Sequence, residues 1–367
     1  MKKHRIPVSV LGATGMVGQN YLRLLADHPW FEVVDVAASD RSAGRNYADV
    51  VAGAWYPPTA IPERIAGLTV RDVRDFAAIP AGTAAIFSAA ELPDKASTAE
   101  LEFEYARAGY PLISNSSANR WTPDVPMLIP EINPGHSAVI PLQQARRHLP
   151  ATGFVAVKPN CSIQSYLVTL TALELAGYPV ERVQVTTLQA LSGAGQRGLN
   201  DQALRENVVP YIPGEEEKTE REPLKILGRV GENGIVVAGG PLIDATCTRV
   251  SVVDGHLAVV RVGFRDKIPS RETVIRVWRE FRGEPQRLKL PLAPPELIIY
   301  RDEDDRPQPR LDRDTGRGMA VTAGRLQPDK FFDLKYVALS HNTVRGAAGG
   351  AILAAELLVA QGFIGGR

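Results

Sequence analysis

Residues 8–18, VSVLGATGMVG, decide the fold. Val8 to Leu11 is a short apolar strand, and Gly12 to Gly15 is a turn. From Met16 to His28 apolar residues recur at helical spacing, at Val17, Tyr21, Leu24 and Leu25. Glycines at Gly12, Gly15 and Gly18 let the backbone approach a phosphate closely. The helix behind them offers unpaired N–H groups and the positive end of its dipole. As a bare string the spacing is equally that of a tight strand–helix turn without a ligand. Its place between a strand and a helix favours a dinucleotide, held by Gly12, Thr14, Gly15, Met16 and Val17.

Outward from this turn, Glu32–Ala38 reads as a second strand. Ala84–Phe87, Pro111–Ser114 and Phe154–Val157 read as further strands, with a helix over Glu100–Ala108. Strands alternating with helices predict an α/β domain with a parallel sheet covered on both faces. The texture changes after about residue 158. Val183–Gln189, Ile235–Val237 and Leu257–Phe264 are longer, richer in β-branched residues and not separated by short helices. They predict an α+β domain with a mostly antiparallel sheet. Gly214–Gly228 reads as a charged connection within it. The alanine-rich stretch Asn342–Gln361 reads as a helix that returns to the first domain. The expected division is 1–158 with 342–367, and 159–341.

The 367 residues suffice for two cores. With 42 basic and 41 acidic residues the formal charge is +1, which gives no reason to expect nucleic acid or an anionic membrane as partner. The opening MKKHRIP leads into the glycine turn rather than a signal core, and no run approaches the roughly 18 apolar residues of a membrane span. A cytoplasmic location is expected. The two cysteines, Cys161 and Cys247, lie far apart without CxxC or His-x-His spacing, so no metal is expected and a disulfide is not needed.

The end of the second strand selects the dinucleotide. It carries Ser39-Asp40-Arg41-Ser42, where Arg41 with Ser39 and Ser42 suits a ribose 2′-phosphate and favours NADP(H). Asp40 keeps NAD open, and a solvated polar loop is the alternative to both. Pro159-Asn160-Cys161-Ser162 follows a strand and precedes the apolar run Ile163–Ala176. A cysteine at a helix N-terminus feels a dipole that favours thiolate. A cysteine is more often an inert core residue, and Cys247, within a β-like stretch, takes that reading. Arg249 suits a carboxylate and His256 titrates near neutrality, but spacing alone does not bring either to Cys161.

GATGMVG, SDRSAGR (39–45), ISNSSANRW (113–121), PNCS, LQALSGAG (188–195), NVVPYIPGEEEK (207–218), EPLKILG (222–228), CTRV…DGH and DRPQPRLDR (305–313) occur in family order along nearly the whole chain. Together they resemble aspartate-semialdehyde dehydrogenase of the archaeal and fungal branch. The resemblance implies a Rossmann-type NADP-binding domain and an α+β catalytic and dimerisation domain, in a homodimer or homotetramer. It implies Cys161 as thiol nucleophile, His256 as acid/base, Gln189 as substrate-orienting residue and Arg249 as partner of the substrate carboxylate. Asn160 is expected to help steady the oxyanion. Arg120, Glu222 and Lys225 match the phosphate-binding group, and Ser88, Ser192, Gly193 and Asn342 fall with the cofactor. The implied reaction is NADPH-dependent reductive dephosphorylation of β-aspartyl phosphate through a Cys161 thioester, a step toward lysine, threonine and methionine. Three positions depart from the pattern. Ile163-Gln164 follows PNCS where threonine is expected, Gln196 stands where an aromatic is commoner, and Lys158 stands where asparagine is expected. A malonyl- or succinyl-CoA reductase fits much of the later half, and a non-catalytic NADP-binding regulator would share the fold.

Overall fold

A computed structural model describes residues 5–365; the remaining terminal residues, including most of the basic N-terminal flank, lie outside the described residues. Six strands form the first sheet: β1 (Ile6–Leu11), β2 (Phe31–Ala38), β3 (Val70–Asp72), β4 (Ala85–Ser88), β5 (Pro111–Ser114) and β6 (Phe154–Val157). Their order is β3-β2-β1-β4-β5-β6, and every neighbouring pair is parallel. Alternation along β1 explains the two covered faces. Val8 and Val10 join a core with Tyr21 and Leu25 of the Met16–Leu25 helix. Leu11 faces the opposite core, with Leu101 and Tyr105 of the Lys95–Arg107 helix. Asp94 caps that helix, accepting from the Ser97 amide at 2.7 Å.

The second sheet contains β7 (Val180–Gln189), β8 (Val208–Val209), β11 (Leu242–Val250), β12 (His256–Phe264), β13 (Ile298–Arg301), β14 (Val321–Pro328) and β15 (Leu334–Ser340). Its order is β13-β14-β15-β12-β7-β11-β8. Two pairs, β13·β14 and β7·β11, are parallel and the rest antiparallel, so the sheet is mixed. Ile235–Val237 does not join it. β10 (Gly234–Val236) instead pairs with β9 (Arg229–Gly231) in a separate hairpin, with Val236 exposed.

Two segments depart from the sequence reading for physical reasons. Gly214–Gly228 is not a connection: Glu215–Ile226 is a helix, with three glutamates in its first turn and an Arg221–Glu217 ion pair one turn apart. Its buried residues include Glu215, Thr219, Glu222 and Ile226, which share one face. That face is mostly polar, so it leaves no apolar periodicity to read. The C-terminal helix begins at Gly349, not Asn342. Before it, Val344–Ala348 is an irregular turn with Ala347 outside helical geometry. The helix packs Ile352, Leu353, Leu357 and Leu358 into the core with Val8 and Val10.

Candidate active site

The carboxyl ends of the first sheet and one end of the second face each other across a cleft of about 560 Å³. Registers place the groups at the second sheet's end. Gln189 closes β7 opposite Arg249 of β11, and His256 opens β12 opposite Ser340, which closes β15. From the first sheet come the glycine turn, through Gly15, Met16, Val17 and Gly18, and the continuation of β6, through Lys158, Asn160 and Cys161. Ser192, Gly193, Gln196, Asn342, Thr343 and Gly346 complete the walls.

Cys161 is not at the N-terminus of an α-helix. It precedes a single 3-10 turn, Ser162–Gln164, and the regular helix starts at Leu167. The dipole directly behind the thiol is that of one short turn, because the longer helix's effect fades within its own first turn. Its surroundings are side chains instead. Sγ lies 3.4 Å from Asn160 Oδ1, and a Cβ added to Gly346 would lie 2.8 Å from Cys161 Cβ, so only glycine lets the C-terminal segment pass. Burial, then the Glu215 charge, push the thiol up, while Lys158, Arg120 and Arg249 pull it down.

Glu215 escaped the sequence reading as an individual residue. Its Oε2 accepts from Asn160 Nδ2 at 2.9 Å and Gln189 Nε2 at 3.1 Å, and its Oε1 pairs with Lys218 at 2.8 Å. Burial opposes its ionisation, yet the Lys218 ammonium and these hydrogen bonds hold it down at about 2. The signal was present in the acidic first turn and the Glu215–Lys218 spacing.

His256 is fully buried, and its Nδ1 accepts the Ala190 amide at 3.0 Å. The neutral ring then carries its proton on Nε2, which has no hydrogen-bond partner. Burial, reinforced by Arg249, drives its pKa to about 3. Arg249 donates to the Ala190 carbonyl at 2.9 Å. Both lie directly beneath Gly193, where an added Cβ would stand 2.5 Å from Arg249 Nη1 and 3.0 Å from His256 Nε2.

The three residues expected to hold phosphate separate. Arg120 lines the cleft, donating to Glu222 at 2.9 Å and to the carbonyls of Lys158 and Asn115 at 3.1 Å each. Glu222 also accepts the Asn160 amide at 2.6 Å, so that amide is not open to an oxyanion. Lys225 is not among the cleft-lining residues. Its ammonium donates to the carbonyls of Arg120 at 2.6 Å and Thr122 at 2.8 Å, and burial lowers it to about 8. Glu222 and Lys225 thus brace Arg120 from behind. The lysine in the cleft is Lys158.

The cofactor side fits a pyrophosphate. Gly12 has φ +68° and touches the Ala89 carbonyl, while Gly18 lies against Gly12, so neither admits a side chain. Gly15 caps the Met16–Leu25 helix with no side-chain acceptor, which leaves its first amides facing the cleft. The carbonyl of Thr14 accepts from Gln19, so Thr14 helps shape the turn. Ser192 and Asn342 are joined at 2.8 Å on the opposite wall. Ser88 is buried at the end of β4, outside the lining residues. Ser39 and Arg41 are exposed and Ser42 half-buried beyond the end of β2, and Arg41 makes no ion pair among the described residues. Ala89, Glu91, Asn115 and Ser116 line the cleft without having been singled out.

A parallel sheet of this strand order, opening through a glycine-lined helix terminus onto a cysteine where the chain leaves it for a second sheet, defines a two-domain dehydrogenase of the thiol-dependent kind. The family signature described as "Semialdehyde dehydrogenase, NAD binding domain" matches residues 7–140, and "Semialdehyde dehydrogenase, dimerisation domain" matches 170–345. The chain belongs to the aspartate-semialdehyde dehydrogenase family. It is 43% identical to the aspartate-semialdehyde dehydrogenase of Aspergillus fumigatus over 97% of each chain. Identity to that of Methanothermobacter thermautotrophicus is 44%, over 96% of this chain and 99% of the relative. The crystal structure of the Candida albicans enzyme with NADP superimposes with a TM-score of 0.87 at 36% identity, covering 98% of this chain and all of that one. A malonyl-CoA reductase (NADP) of Metallosphaera sedula is 37% identical over the full length of both.

Proposed function

We propose that the chain is an NADP(H)-dependent aspartate-semialdehyde dehydrogenase that acts through a thioester on Cys161. The observation that carries the reading is the convergence of Cys161, Asn160, Gln189, Glu215, Arg249 and His256 beside the glycine-lined helix terminus. In the biosynthetic direction the Cys161 thiolate attacks the acyl carbon of β-aspartyl phosphate and expels phosphate. Arg120, held open to the cleft by Glu222, balances the phosphate charge. The hydride that reduces the thioester carbon comes from the nicotinamide when it is bound. His256 Nε2–H then donates to the oxygen on which charge develops, because its Nδ1 is occupied by the Ala190 amide. Arg249 takes the substrate carboxylate, and Gln189 and Asn160, both held by Glu215, fix the orientation. A homodimer or homotetramer belongs to the same reading, supported by the dimerisation signature. A cytoplasmic setting is supported by the two free cysteines.

The rival acyl-CoA reductase shares thiol and cofactor and is separated by its leaving group. The test is phosphate-dependent NADPH formation from aspartate semialdehyde, run beside malonyl-CoA reduction. Turnover that needs phosphate, with little reduction of malonyl-CoA, supports the dehydrogenase. No phosphate dependence together with efficient malonyl-CoA reduction assigns the reductase instead, and inactivity in both assays leaves the non-catalytic regulator.

A further inference from the structure

Lys158 stands where the resemblance implies asparagine, and the structure places it in the cleft beside Cys161. It follows β6 directly, donating its amide to the Ser114 carbonyl at 2.8 Å, and stands three residues before Cys161. It is 2% exposed, yet it forms no ion pair among the described residues. Its ammonium has three donors, and the one acceptor it meets is the carbonyl of its own neighbour, Pro159. An ammonium buried with so little compensation is costly and calls for a partner that is charged only part of the time.

The other cations around the sulfur are engaged or set apart. Arg120, the second cation lining the cleft, is paired with Glu222. Arg249 lies beneath Gly193 and bonds the Ala190 carbonyl. His256 accepts a backbone amide at Nδ1 and is held neutral. The imidazolium that often serves as counter-ion to a catalytic thiolate is thus absent from the resting protein. With a single 3-10 turn directly behind Cys161, the other usual source of positive charge is reduced to that of a short turn.

We propose that Lys158 is the counter-ion of the Cys161 thiolate, across the cleft that both residues line. The Sγ–H bond breaks with its proton passing to solvent in the open cleft, and the Lys158 ammonium balances the charge left on the sulfur. On acylation the sulfur becomes neutral and the ammonium remains; when the thioester is reduced and the aldehyde leaves, the ion pair re-forms. The groups facing Lys158 are consistent with a residue poised between its two states. Burial and Arg120 lower it to about 7, against the pull of Cys161, Glu222 and Glu215. The segment packed across it sets Gly350 against the Lys158 side chain, and its titratable groups are His341, beside Asp314, and Arg345, which pairs with Glu131.

The inference rests on Cys161 being the nucleophile of the proposed reaction, and its test is independent of substrate. The full-length protein, without substrate or cofactor, is alkylated with iodoacetamide from pH 5 to 10, and modification of Cys161 is followed by mass spectrometry. Lys158→Met is expected to slow alkylation at pH 7 by about tenfold or more and to move the midpoint upward by about one unit. Lys158→Arg should restore most of the rate, and His256→Asn should leave the midpoint in place. Lys158→Gln is measured alongside, so that a folding failure of the methionine variant does not end the test. Rates in both neutral variants within twofold of wild type would overturn the pair, as would an equal loss in His256→Asn. A rise in the phosphate KM with alkylation unmoved would also overturn it, making Lys158 an anion-binding residue. Wild-type protein with no phosphate-dependent turnover but a Lys158-dependent thiol midpoint sinks the functional reading and leaves the ion pair standing.

Discussion

The two cysteines differ in what surrounds them, and this sets the first test at the scale of single residues. Cys161 lines the cleft among three cations, whereas Cys247 is buried within β11 and packed into the core, with Thr219 near its sulfur. Cys161→Ser should lose nearly all turnover and still bind NADP in a calorimetric titration, while Cys247→Ser keeps wild-type turnover. Similar behaviour of the two variants contradicts the assignment. Arg41 is exposed and makes no ion pair among the described residues, so it is available for a 2′-phosphate. Arg41→Ala should weaken NADP by about ten- to a hundredfold, the worth of one charge-assisted contact, with NAD little changed. Equal losses for both nucleotides would remove Arg41 from the phosphate site. Glu215 carries a pH signature. Its carboxyl stands at about 2 in the fold, against about 4.3 in an unfolded chain, so its stabilising contribution is complete above about 4.3 and fades as pH falls toward 2. Urea midpoints of wild type and Glu215→Gln should therefore differ more at pH 7 than at pH 3; a constant gap shows that the carboxylate does not carry the difference.

At the scale of elements, the Glu215–Ile226 helix organises the reaction centre from behind. Its first turn holds Asn160 and Gln189 through Glu215, and two turns later Glu222 holds Arg120 and the Asn160 amide. Removing Glu222 leaves a guanidinium in the interior without its carboxylate, a loss of about 3 kcal/mol or more. Glu222→Ala should therefore lower both thermal stability and kcat, and a variant equal to wild type in melting temperature rules out the brace. Lys225→Met should weaken the same support while leaving the phosphate KM close to wild type, since its ammonium meets two backbone carbonyls; a several-fold rise in that KM would return Lys225 to the phosphate site. This helix was the least legible element, because Glu215, Thr219 and Glu222 turn carboxylates and a hydroxyl inward where apolar spacing is expected. The strand–glycine–helix unit at 8–25 was legible because each of its signals is local: an apolar run, glycines that exclude side chains, and helical periodicity. Cys161 was legible as a candidate, but its missing helix was not, since the apolar residues after Ile163 suit a 3-10 turn and a regular helix alike.

Across the whole molecule, the two sheets were distinguishable by texture, but their mutual placement was not. Arg249 and His256 come together beneath Gly193 of the cleft wall through the registers of β7, β11 and β12, long-range pairings that no local pattern encodes. The dimerisation signature covers this second sheet. Light scattering should accordingly return a multiple of the 39.8 kDa chain mass, twice or four times, and a stable monomer at micromolar concentration would contradict the assembly. The chain passes from one sheet to the other twice, through Lys158–Gln164 and back through His341–Ala348, and both passages carry residues of the cleft. The sulfur therefore sits on the axle of the molecule rather than on either of its wheels. The two stretches of backbone that join the halves meet there, Gly346 lying so close to Cys161 that a side chain at 346 would strike it. A side chain added at 346 would therefore press on the hub itself, and be felt at the sulfur before it is felt at either rim.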